Sequence, residues 1–138
     1  MDELIKITPD KDKARSVLKM VDTTLEMVKS IDINRFPSNV TKEYYEIIRE
    51  LLSAILLLDG YKTYGEYAHK KQISYLEENY KDFKKHEIYL IDELRVIRNR
   101  IAYDGFFIES DYIQRMIKSI NSLIIKLKVL VANKIDPS

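Results

Sequence analysis

Three glycines and three prolines in 138 residues leave the chain few places to turn sharply, and between them apolar residues recur with a period near 3.6. That combination predicts an all-α protein with little strand content: an up-and-down bundle of four main helices plus a short additional helix, with residues 1–138 forming one domain. The first helix is expected to open with Thr8 as N-cap and Pro9 at its first position, where a missing N–H costs nothing. Its apolar face carries Ala14, Val17, Leu18, Val21, Leu25 and Val28, and it ends before Phe36-Pro37. The second, about 40–58, aligns Tyr44, Ile47, Ile48, Leu51, Leu52 and Ile55, then becomes apolar almost all round as Leu56, Leu57 and Leu58 are added. Such girth fits a central helix touching several neighbours, and Gly60 is placed to stop it in a left-handed conformation.

Thr63 and Glu66 have the spacing of a capping box, which predicts a third, shorter helix reaching about residue 78. A fourth, about 84–103, uses Leu90, Ile91, Leu94, Ile97 and Ile101 and is ended by Asp104-Gly105. The fifth starts near Ser110 or Asp111 and repeats Ile113, Ile117, Ile120, Ile124, Leu127 and Val131 as far as Asn133.

Charge narrows the function classes. With 23 Lys plus Arg against 22 Asp plus Glu, no global field draws in nucleic acid or an anionic membrane, so any such contact needs a local patch. The absence of cysteine excludes disulfides, thiolate metal sites and thiol nucleophiles, and agrees with a reducing compartment. Residues 1–6 show neither a basic leader nor a long apolar stretch, and the run 51–58, broken by Ser53, is too short to span a bilayer. A cytoplasmic protein without a membrane partner is expected.

The local patch is at the end of the fourth helix, where Arg95, Arg98, Asn99 and Arg100 precede Tyr103. Arg98 lies four residues after Leu94, seven after Ile91 and three before Ile101, on or beside the apolar stripe. Either it borders the core and snorkels to water, or it faces a partner carboxylate, a polar groove or a subunit interface, because an unpaired buried guanidinium is costly. Likewise the arginine cluster either serves helix-end electrostatics and solubility or forms a phosphate-binding patch, with guanidiniums as bidentate donors and Asn99 contacting a base or sugar. Tyr103 follows Arg98 by five residues, about 140° around the helix, so the two are not expected to share a face within one chain, though a two-fold axis would let them meet. Asn99 and Tyr103 do share a face.

Other candidates carry less. Tyr61, Tyr64, Tyr67, Tyr75 and Tyr80 cluster around the third helix, either packing with wet hydroxyls or offering a base-stacking surface. Glu66-x-x-His69 has the spacing used by di-iron bundles, but the second copy and the extra inward glutamates are missing, so no metal and no cofactor are expected. Neither His69 nor His86 is near Arg98 in sequence, and an ordinary histidine catalyst is therefore hard to assemble. No phosphate loop, nucleophile elbow or zinc motif is present.

The Gly60-Tyr61-Lys62-Thr63 link, the five helices and above all Arg98-Asn99-Arg100-Ile101-Ala102-Tyr103 before Asp104-Gly105 resemble the HEPN domain family over nearly the whole chain. That resemblance implies a homodimer and, in many members, a metal-independent ribonuclease whose signature is Arg, a polar residue, variable residues and His. Arg98 and Asn99 match its start; Tyr103 stands where the histidine belongs. A tyrosine is a poor general base at neutral pH but can donate a hydrogen bond or act as an acid, while Arg98 still suits a scissile phosphate. The resemblance also implies a nucleotidyltransferase as antitoxin partner. In such pairs a tyrosine two residues beyond the histidine is modified, and Gly105 occupies that position here.

Three functions follow as expectations. The first is a dimeric RNA- or nucleotide-phosphate-binding protein, using Arg95, Arg98, Asn99 and Arg100, with weak or no nuclease activity. The second is a ribonuclease toxin with Arg98 and Tyr103 as catalytic residues. The third is a protein-interaction module that docks a partner through Phe106-Phe107.

Overall fold

The computed structural model describes residues 3–137. It is mostly helical, with five helices and one small antiparallel sheet: β1 (Glu3–Lys6), α1 (Lys11–Lys29), α2 (Pro37–Asp59), β2 (Tyr61–Tyr64), α3 (Ala68–Asn79), α4 (Lys85–Asp104) and α5 (Ser110–Ile135). Among the described residues no helix is long and apolar enough to cross a membrane.

α2 is the central helix that its apolar girth predicts, packing against α1, α3, α4, α5 and β2. Tyr45, Ile48, Leu51, Leu52 and Ile55 are fully buried on it, and one apolar cluster joins them to Val21 and Val28 of α1, Leu76 of α3, Ile91 and Leu94 of α4, and Ile120, Ile124 and Leu127 of α5. Gly60 ends α2 with φ +87°, and a β-carbon there would meet the Ile7 carbonyl oxygen at 3.2 Å. Glycine thus serves twice, permitting the left-handed cap and letting the first strand approach; Ile7 donates its N–H to the Gly60 carbonyl at 2.9 Å.

Three local expectations are corrected. α1 is capped by Asp10, whose carboxylate accepts the Lys13 N–H at 2.9 Å, rather than by Thr8 with Pro9 as first residue; an ionised acceptor also favours the positive helix end. α1 stops at Lys29, before Phe36-Pro37 as expected, where Ser30 caps it through its N–H and hydroxyl. Pro37 opens α2 at its first position, so that helix begins three residues before Val40. The Thr63–Glu66 capping box does not form: Thr63 pairs with Leu4 in the sheet, and α3 begins only at Ala68. Ladder bonds to β1 take up the backbone that a helix start would have used.

Candidate functional site

Arg98 gets its carboxylate from a different helix. Glu46, on the face of α2 toward α4, accepts Arg98 Nε on Oε1 and Arg49 Nη2 on Oε2, each at 2.8 Å. One carboxylate therefore holds two guanidiniums, a charge-assisted arrangement that fixes both planes. The Arg98 and Glu46 side chains are 17% and 23% exposed, so water only partly screens the pair.

With its Nε edge held by Glu46, Arg98 presents Nη1 to Asn99 Oδ1 at 3.2 Å and to the Tyr103 hydroxyl at 3.4 Å. Arg98 and Tyr103 thus touch within one chain, without the two-fold axis, although they are about 140° apart around the helix. Their Cα positions do point apart, but an extended guanidinium and a phenol span the gap, and the guanidinium carbon lies 5.8 Å from the ring centroid.

These groups border a cleft of about 410 Å³ between the start of α3 and the end of α4, lined by Glu66, Tyr67, His69, Arg95, Asn99 and Tyr103 together with Arg98. Arg95 is oriented by Asp92 at 2.9 Å. Arg100 is not brought into the cleft; it is exposed and its guanidinium sits 3.9 Å from the centroid of the Phe106 ring. Phe107 stands free in solvent at 84% exposure.

His69 is the residue that sequence reasoning left out. It sits in the first turn of α3, and tertiary packing carries it to the Arg98 cluster that lies far away along the chain. Its Nε2 is 3.2 Å from Arg49 Nη1. A guanidinium has no lone pair, so the imidazole must accept, which makes it neutral with its proton on Nδ1. Burial, with Arg49 and Arg98 adding repulsion against the pull of Glu46, holds its pKa below the ordinary 6.5. Beneath it the Tyr45 ring lies 6.4 Å away, and burial pushes that phenol up to about 12. The Tyr45 hydroxyl and Arg49 Nε are buried without a hydrogen-bond partner among the described residues. Glu46 and Arg49 were equally hidden in sequence, each looking like a solvated position on an amphipathic helix; His69 stood out for its Glu66-x-x-His69 spacing, but its distance from Arg98 along the chain argued against a shared site.

The lowered His69 pKa has a measurable consequence. A histidine that binds its proton less well folded than unfolded contributes full stability above about pH 6.5, and that contribution falls as pH drops from there through the folded pKa. Thermal unfolding at pH 7.5 and 5.5 should show the unaltered protein losing more stability than His69→Gln does. Equal losses would mean that His69 titrates as if in water.

Chemically, the cleft offers two oriented guanidiniums, an amide, a phenol and a neutral imidazole, with exposed tyrosine rings at its edge. Among the described residues no cluster of His, Asp and Glu is grouped to hold a metal ion. Compared with known family models, curated proteins and solved structures, the chain matches none.

Proposed function

We propose that this protein binds the phosphate of RNA or of a nucleotide in the α3–α4 cleft, as a HEPN-like homodimer. One observation carries the proposal: Glu46 grips Arg98 by Nε and sets its Nη1 against Asn99 and Tyr103 at the cleft wall, where an anion can replace the long 3.4 Å contact to the Tyr103 hydroxyl. A guanidinium held on one edge loses little further freedom on binding, so its remaining donors are pre-organised for an anion. Arg95 supplies the second cation, and Asn99 a contact for sugar or base. Tyr67 and Tyr103, 58% and 76% exposed at the rim, are available to stack an unpaired base.

Fluorescence anisotropy with a labelled single-stranded RNA and with a labelled mononucleotide tests this. Arg98→Ala is expected to weaken binding by about tenfold or more, the ~1.4 kcal/mol of a charge-assisted contact. Arg100→Ala, which removes an equal charge outside the cleft, should change it far less. Equal losses in both variants would mean that binding follows bulk charge and that the cleft is not the site.

A second reading, metal-independent ribonuclease activity, is favoured by His69. It brings to the cleft a neutral imidazole, which can take a proton on Nε2 once substrate displaces Arg49 from that nitrogen, a role that Tyr103 does not fill as a base. Incubation of mixed-sequence RNA with a chelator present decides it. Cleavage lost in both His69→Ala and Arg98→Ala supports an enzyme, and no cleavage by the unaltered protein leaves binding as the function.

A further inference from the structure

Two buried donors of α2 lie behind the cleft. The Tyr45 hydroxyl and Arg49 Nε have no hydrogen-bond partner among the described residues, and orphaned buried polar groups are rare because they give up hydration without replacing it. The two residues are four apart on α2, so their side chains share one face of the helix. The Tyr45 ring is 6.4 Å from that of His69, and its phenol is within Coulombic reach of Arg95, Arg49, Glu46 and Arg98. His69, Arg95 and Arg98 line the cleft, which puts both donors directly behind its inner wall.

Both groups lack an acceptor. Arg49 Nε can only donate. Around the Tyr45 hydroxyl the guanidiniums are donors too, and the Glu46 oxygens are taken by Arg98 and Arg49. His69, whose Nε2 rests against Arg49 Nη1 at 3.2 Å, stands on the cleft side of them. A second set of donors comes from α3. Residues 65–70 line the cleft, Tyr67 at the N-cap makes no side-chain capping bond, and the first turn holds no acid, so the positive end of α3 borders the same space. α4 supplies the third set, with Arg98 oriented by Glu46 and Arg95 by Asp92.

Donors from three helices suit a small anion with oxygens in three directions. An internal phosphodiester has two free oxygens and one charge, and its chain must leave the site on both sides. A phosphomonoester has three free acceptor oxygens and close to two charges at neutral pH, and only a chain end can reach into a recess closed at the back. We infer that the cleft takes a terminal phosphate, whose innermost oxygen displaces His69 from Arg49 and accepts from Arg49 and the Tyr45 hydroxyl, while the other two oxygens meet the start of α3 and the Arg95–Arg98 pair. The inference rests on the cleft as the phosphate site and names its ligand class, a phosphomonoester at an RNA end or on a mononucleotide.

Anisotropy with one internally labelled single-stranded RNA, ended in 5′-phosphate, 3′-phosphate or hydroxyls only, tests it, with adenosine monophosphate and adenosine as competitors. A phosphate on one end is expected to tighten binding about tenfold or more over the hydroxyl-ended RNA, and adenosine monophosphate to compete where adenosine does not. Tyr45→Phe keeps the ring and removes the orphaned hydroxyl, so without ligand it should melt no lower than the unaltered protein. In that variant the preference for a phosphate end should shrink to about threefold or less. Equal affinity for phosphate- and hydroxyl-ended RNA, with both weakened by Arg98→Ala, overturns the terminal-phosphate inference and leaves the cleft reading standing. A preference that survives Tyr45→Phe in full, or a clearly lower melting temperature in that variant, would mean that the hydroxyl serves the fold and not the ligand, and overturns the inference as well. No binding by any of these RNAs or by adenosine monophosphate overturns both.

Discussion

Glu46→Ala is expected to lower the stability of the fold by about 3 kcal/mol and to abolish ligand binding in the cleft together. Removing one member of a buried or half-buried ion pair costs more than the pair contributes, because the partner's charge is left desolvated. Here two partners are left. Arg98 and Arg49 both lose their 2.8 Å acceptor, and Arg49 keeps only a 3.8 Å approach to Glu50. His69 then carries the whole hydrogen-bonding load on Arg49. In a chain of this size a loss of 3 kcal/mol lowers the melting temperature by roughly 10 °C. Glu46→Gln keeps the shape and one acceptor oxygen, so it should retain more stability than the alanine variant. A drop below about 1 kcal/mol for Glu46→Ala would place this network among ordinary exposed ion pairs, and Glu46 would not be what aims Arg98.

How much of this was legible beforehand follows from the range over which each signal acts. α2 and α5 are readable because Ile48, Leu52, Ile55 and Ile120, Ile124, Leu127 repeat a period that belongs to the helix itself. Gly60 and Gly105 are readable as stops for a similar reason: a positive φ is a local demand. The sheet is not, since Glu3–Lys6 and Tyr61–Tyr64 are four residues each and make sense only once paired across the intervening two helices. Thr63 and Glu66 show the converse, a sound local match overruled by a partner strand. At the site, Arg98, Asn99 and Tyr103 stood out as neighbours on one helix. Their companions Glu46, Arg49 and His69 come from α2 and α3, and only packing places a polar edge of one helix against that of another.

Asp59→Ala is expected to cost about 3–4 kcal/mol, because this one carboxylate ties the end of α2 to two other parts of the molecule. It accepts the Tyr75 hydroxyl at 2.7 Å and the Tyr80 hydroxyl at 2.6 Å, and it pairs with Lys134 in the last turn of α5. Asp59 is itself only 17% exposed. A carboxylate at a helix C-terminus opposes the macrodipole, so its position there requires compensation from outside the helix. The titration agrees in sign. Burial alone would raise the Asp59 pKa, but hydrogen bonds from Lys134, Tyr80 and Tyr75 and the charge of Lys134 outweigh it and hold the group below the ordinary carboxylate value. The stabilisation is therefore complete above the unfolded pKa of about 4 and is lost as pH falls through the lower folded value. Denaturant unfolding of the unaltered protein and of Asp59→Asn should differ at pH 7 and converge in strong acid. The same anchor bears on the cleft, since Tyr75 belongs to α3, whose first turn carries His69. If α3 hangs on Asp59, amide exchange across α3 should speed up in Asp59→Ala more than across α1. If α3 exchanges no faster than α1 and the stability cost is under about 1 kcal/mol, the packing of Ile73 and Leu76 is what holds His69 in place.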